Sequence, residues 1–69
     1  MKIEYDRRAD AAYLSLSSRK EKVSKSREVE PGVVLDLNRK GGVIGIEILN
    51  VSHRVKPSEL FQFSVKHVS

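Results

Sequence analysis

The stretch EVEPGVVLDLNRKGGVIGIEILN, Glu28 to Asn50, decides the fold. Val33, Leu35 and Leu37 alternate with Val34, Asp36 and Asn38. After a short charged loop, Ile44, Ile46 and Ile48 alternate with Val43, Gly45, Glu47 and Leu49. Period two is the pattern of a strand with one face apolar and the other mixed. The joining NRKGG suits a hairpin turn, with Gly41 and Gly42 both able to take left-handed geometry. Upstream, Pro31 presets its own φ, and Gly32 supplies the positive φ of a type II turn.

Working outward, KIEY alternates Ile3 and Tyr5 against Lys2 and Glu4 and reads as a short strand. DRRAD reads as a turn, with Asp6 and Asp10 able to accept from nearby backbone N–H groups. AAYLSLS, residues 11–17, is a second strand, and SSRKE the loop after it. KVSKSREV, residues 22–29, is a weaker strand, because Val23 and Val29 are the only apolar residues on its better face; it suits a sheet edge. Toward the end, Ser52 is a candidate cap and Pro57 limits any helix. FQFSVKHV alternates Phe61, Phe63 and Val65 against Gln62, Ser64 and Lys66, which favours a strand; a helix from Pro57 onward is the competing reading of residues 57–67. The expected class is α+β: one domain over residues 1–69, a mostly antiparallel sheet of about five strands, and one short C-terminal helical element.

Both faces of this sheet carry apolar residues. One collects Ile3, Tyr5, Leu14, Leu16, Leu35, Ile44, Ile46 and Ile48. The other collects Tyr13, Val34, Val43 and Leu49, mixed with Glu4, Asp36 and Glu47. The first can pack on the chain's own tail; the second is then the candidate partner-binding surface, through Tyr13, Val34, Val43 and Leu49. A chain of 69 residues buries only about 60% of its unfolded surface on folding, so a second subunit is the natural supplement. A homo-oligomer, with the dimer favoured, is expected.

The chain has no cysteine, which excludes disulfides, Cys-based zinc sites and thiol catalysis. No apolar run is long enough to span a bilayer, and the opening MKIEYDRRAD has no signal-peptide core, so a cytoplasmic protein with no membrane partner is expected. The net charge of +4 is local: RKEKVSKSR, residues 19–27, holds five basic residues and one acid, and the remainder balances. Such a run is most simply a solvated turn and edge strand. It also supports an alternative in which Lys20, Lys22, Lys25 and Arg27, with Arg39 and Lys40, contact nucleic-acid phosphates, and Tyr13 or Phe61 stacks on a base.

Little points to chemistry. Glu4, Asp36 and Glu47 share a face, but acids alternating with apolar residues are the ordinary polar side of a sheet. His53 and His67 lack partners at ligand spacing. The serines sit in no nucleophile elbow, and KGGVIG leads into a strand instead of a phosphate-binding helix. No catalytic residue, metal or cofactor is assigned, and a non-enzymatic protein is expected.

KIEYDRRADAAYLSLS followed by EVEPGVVLDLNRKGGVIGIEIL resembles DUF2283, a family of small prokaryotic proteins. The resemblance is carried by Tyr5-Asp6, Ala9-Asp10, Tyr13, Leu16-Ser17, Glu30-Pro31-Gly32, Asp36, Gly45-Ile46-Glu47-Ile48 and the serine-bearing VSHRV. The basic 19–27 segment is longer than the family pattern, and the tail from Lys56 is less typical. The resemblance implies a small β-rich fold and an antitoxin-like or accessory role beside a small toxin-like protein. Glu28, Glu30, Asp36 and Glu47 would then meet the partner's basic groups. Together these readings point to a protein-binding module, with nucleic-acid binding as the alternative.

Overall fold

The computed structural model of the chain describes residues 1–17 and 21–68. Five strands form one antiparallel sheet: β1 (Lys2–Asp6), β2 (Ala11–Ser15), β3 (Lys25–Glu30), β4 (Val33–Leu37) and β5 (Val43–Leu49). Their order is β1-β2-β5-β4-β3, so β1 and β3 are the edges. A 3-10 turn (Val51–His53) and a single helical turn α1 (Pro57–Leu60) follow. This is the expected class, with β3 beginning at Lys25, three residues after the start read from the sequence.

The turns explain the hairpins. Gly32 has φ +85, as a Pro-Gly type II turn requires. In the β4–β5 loop only Gly41 is left-handed, with φ +84; Gly42 is not, contrary to the expectation for both. Asn38 does the rest. Its Oδ1 accepts from Lys40 N at 3.0 Å and Gly42 N at 2.8 Å, closing an Asx turn. In the β1–β2 turn, Asp6 Oδ1 accepts from Arg8 N and Ala9 N, while Asp10 itself takes φ +50.

Cross-strand partners define the faces. One apolar row runs Ile3–Leu14–Ile46–Leu35, and the next Tyr5–Ala12–Ile48–Val33, each across four strands. The opposite face carries Glu4–Tyr13–Glu47–Val34 and Lys2–Ser15–Gly45–Asp36. An irregularity at Asp36/Leu37 pairs Val43 with Leu37, so Val43 leaves the alternation that would group it with Tyr13. A second, between Glu28 and Glu30, interrupts the β3 edge.

The interior is thin. Among the described residues the buried apolar ones are Ala12, Ile44 and Val51, and no side chain is fully enclosed. Two expectations for the tail fail here. Residues 61–68 form no strand: the chain turns once through α1 and continues without regular structure. Nor does the tail cover the apolar face. Leu60, Phe61 and Phe63 reach only its margin at Ile3 and Tyr5, and Val65 remains 81% exposed. Alternation sets which side chains share a face, but a strand also needs a neighbour for its backbone, and this segment has none within its own chain.

Candidate functional site

Two polar clusters hold the sheet, and both centre on an aspartate. On the mixed face, Asp36 Oδ2 accepts from the Tyr13 hydroxyl at 2.9 Å and Oδ1 from the Ser26 hydroxyl at 2.6 Å. Tyr13 lies on β2 and Asp36 on β4, with β5 between them. The ring can cross because position 45 is glycine: a Cβ there would overlap the Tyr13 hydroxyl. Partial burial and the neighbouring Asp36 carboxylate raise the Tyr13 pKa, so the phenol stays a donor.

The second cluster joins the first turn to the end of β5. Asp10 Oδ2 accepts from the Ser52 hydroxyl at 2.6 Å, and Oδ1 accepts from Ser52 N at 3.1 Å and from the Tyr5 hydroxyl at 3.3 Å. Val51 N adds a bond to the Asp10 carbonyl at 3.0 Å. The Ser52 hydroxyl bond is the main cause that lowers the Asp10 pKa. Desolvation and Asp10 raise that of Tyr5. A carboxylate so held is a weak base, and the serine hydroxyl spends its proton on it. The arrangement fastens the 3-10 turn to the sheet. It corrects the reading of Ser52 as a helix cap: Asn50, at φ +51, occupies that position without a side-chain bond.

Arg54 makes a third fastening, donating from Nη2 to the Pro31 carbonyl at 2.7 Å and lying 3.4 Å from Glu30 Oε2.

Of the proposed surface residues, Tyr13, Val34 and Leu49 lie on the mixed face, and Val43 sits beside Leu37. Glu4 and Glu47 flank Tyr13 in one row, with Asp36 in the next. A groove of about 670 Å³ runs along this side, lined among others by Glu4, Arg7, Arg8, Tyr13, Glu47 and Leu49. No group of three or more potential metal ligands occurs among the described residues.

Of the basic residues, Lys22 and Arg39 line one hollow of about 600 Å³ with Glu21, Val23, Ser24 and Asn38. Lys25 and Arg27 lie on the β3 edge, opposite Leu37 and Leu35. Lys40 is in the exposed β4–β5 turn. Lys20 lies outside the described residues. No helix among the described residues is long and apolar enough to cross a membrane.

The model of a family described as protein of unknown function, DUF2283, matches residues 2–52. The chain belongs to this family. The match covers all five strands and ends on Ser52, so the Asp10–Ser52 clasp lies inside the DUF2283 unit and α1 and the tail lie beyond it. No curated protein and no solved structure matches the chain.

Proposed function

We propose that this DUF2283 protein is a non-catalytic protein-binding module whose first partner is a second copy of itself. The observation that carries this reading is surface area. A compact monomer of 7.8 kDa exposes about 4,400 Å² by area scaling. This chain exposes 6056 Å². Its radius of gyration is 13.0 Å, against about 11 Å for a compact chain of this length. The excess is about 1,700 Å² per chain; the tail, with Phe61, Phe63, Val65 and Val68 exposed, supplies part of it, and a second copy is what would cover it. The rows Ile3–Leu14–Ile46–Leu35 and Tyr5–Ala12–Ile48–Val33 supply a continuous apolar face to bury.

With that face occupied, the Tyr13–Asp36 side stays outward. It carries Glu4, Glu28, Asp36 and Glu47 beside Lys2, which lies 3.8 Å from Glu4, and the carboxylates away from Lys2 suit a small basic protein and the antitoxin-like or accessory role in the cytoplasm. Sedimentation or light scattering over a dilution series tests the reading. A mass of two chains is expected, and a single-chain mass at every concentration removes it.

A second reading is favoured by the hollow that brings Lys22 and Arg39 together beside the β3 edge. There the protein contacts nucleic-acid phosphates, and its affinity falls steeply with salt. An affinity that stays flat from low to high salt removes that reading.

A further inference from the structure

We infer that residues 61–66 of one copy add as a sixth strand to the free β1 edge of a second copy, so that the two chains of the dimer exchange arms. This rests on the self-association argued above.

The two edges of the sheet are not alike. Both carry charges, Lys2, Glu4 and Asp6 on β1 and Lys25, Arg27, Glu28 and Glu30 on β3, but β3 is interrupted by the irregularity at Glu28/Glu30, and a bulge closes an edge to further pairing. β1 runs Lys2–Asp6 in unbroken register with β2, without proline or bulge. Among the described residues no backbone bond is made to its outward groups, which leaves them available for strand addition.

The tail matches this edge on both faces. Phe61, Phe63 and Val65 share one side, and Gln62, Ser64 and Lys66 the other. Laid beside β1, the first set extends the apolar rows of Ile3 and Tyr5. The second set joins the mixed face of Lys2, Glu4 and Asp6. Six residues span about 20 Å as a strand, enough to cover the five of β1.

The tail already meets this edge within one chain, and exchange would hand the same contacts to the partner. The Phe61 ring stands edge-on to Tyr5, with centroids 6.2 Å apart at 80°. Ile3, Tyr5, Leu60, Phe61 and Phe63 line a hollow of about 140 Å³. Phe63 is still 68% exposed in this hollow, and beyond it Val65 is 81% exposed. A two-fold partner presents the same edge to that departing segment and receives its own arm in return.

The absence of cysteine makes the test direct. Separately purified Glu4→Cys and Lys66→Cys chains are mixed and treated with a short bismaleimide, and the products are resolved on a denaturing gel. Both sites are exposed, so neither substitution threatens the fold. A covalent heterodimer is expected to form roughly tenfold or more faster than in a control pair of Glu4→Cys with Arg39→Cys. Phe63→Ser is expected to weaken self-association by about tenfold or more. A Glu4→Cys/Lys66→Cys chain that closes only on itself overturns the exchange and places the arm on its own sheet. Cross-linking no faster than the control overturns the arm altogether; a two-chain mass in the same sample leaves self-association standing. A one-chain mass for the unmodified protein overturns both.

Discussion

The Tyr13 hydroxyl reaches Asp36 by passing over Gly45, linking β2 to β4 across the strand between them. One missing side chain therefore admits one hydrogen bond. The contact has a dependence that register alone does not reveal. Cross-strand partners of Tyr13 are Glu4 and Glu47, yet its bond goes diagonally to the next row.

Gly45→Ala should displace the ring and break that bond. A loss of about 1–3 kcal/mol is expected, combining overpacking with the loss of one of the two hydroxyl bonds to Asp36, the Ser26 bond remaining. Tyr13→Phe removes the hydroxyl alone and should cost about 0.5–1.5 kcal/mol. Because the added Cβ collides first with that hydroxyl, Gly45→Ala should cost less in the Tyr13→Phe background. Urea unfolding of the four chains measures the coupling. Strict additivity would separate the glycine from the tyrosine.

Acid should loosen the clasp at Asp10. Its pKa is held below the ordinary aspartate value of 3.8, chiefly by the Ser52 hydroxyl. The unfolded chain therefore binds the proton first as pH falls, and stability drops with it. The contribution is complete above the ordinary carboxylate range and is lost as pH descends through 3.8 toward the lowered folded value. Ser52→Ala removes the largest cause of the shift, so its acid unfolding curve should lose part of that pH dependence. Thermal unfolding between pH 6 and pH 2 checks this. Identical pH slopes for the two chains would show that the clasp carries no proton linkage.

How far the sequence spoke for itself differs along the chain. The existence of the β4–β5 hairpin was legible, because strict alternation and the glycine-bearing loop require the same geometry, although the Asp36/Leu37 irregularity and the conformation of Gly42 were not. Asp6 was legible for the same reason: its bonds run to Arg8 and Ala9, two and three residues away. Asp10 was not, because its partner lies 42 residues on, and a short polar side chain carries no mark of a distant donor. The pairing of Val43 with Leu37 was not legible, because it follows from a register shift that nothing local marks in the sequence. The tail shows the opposite failure. Its alternation is genuine, but no strand among the described residues pairs with it. The mixed face's groove could be anticipated only as a set of residues, since its depth comes from the turn after β1.

The apolar face makes the last prediction. Leu16 continues the side of Leu14, its N–H is held by the Ile44 carbonyl at 3.0 Å, and its side chain is 43% exposed. In one chain alone, Leu16→Lys changes an exposed position and should cost no more than about 0.5 kcal/mol. Across a dimer interface the same lysine is desolvated opposite apolar side chains, and the penalty is several kcal/mol. Dissociation should then strengthen by about a hundredfold or more, since 1.4 kcal/mol is a factor of ten. The unmodified protein should melt at a temperature that rises with concentration, and Leu16→Lys should melt lower with that dependence weakened. Melting curves over a hundredfold dilution, read beside sedimentation, separate the outcomes. A variant that melts lower yet keeps the full concentration dependence would place the interface elsewhere on the sheet.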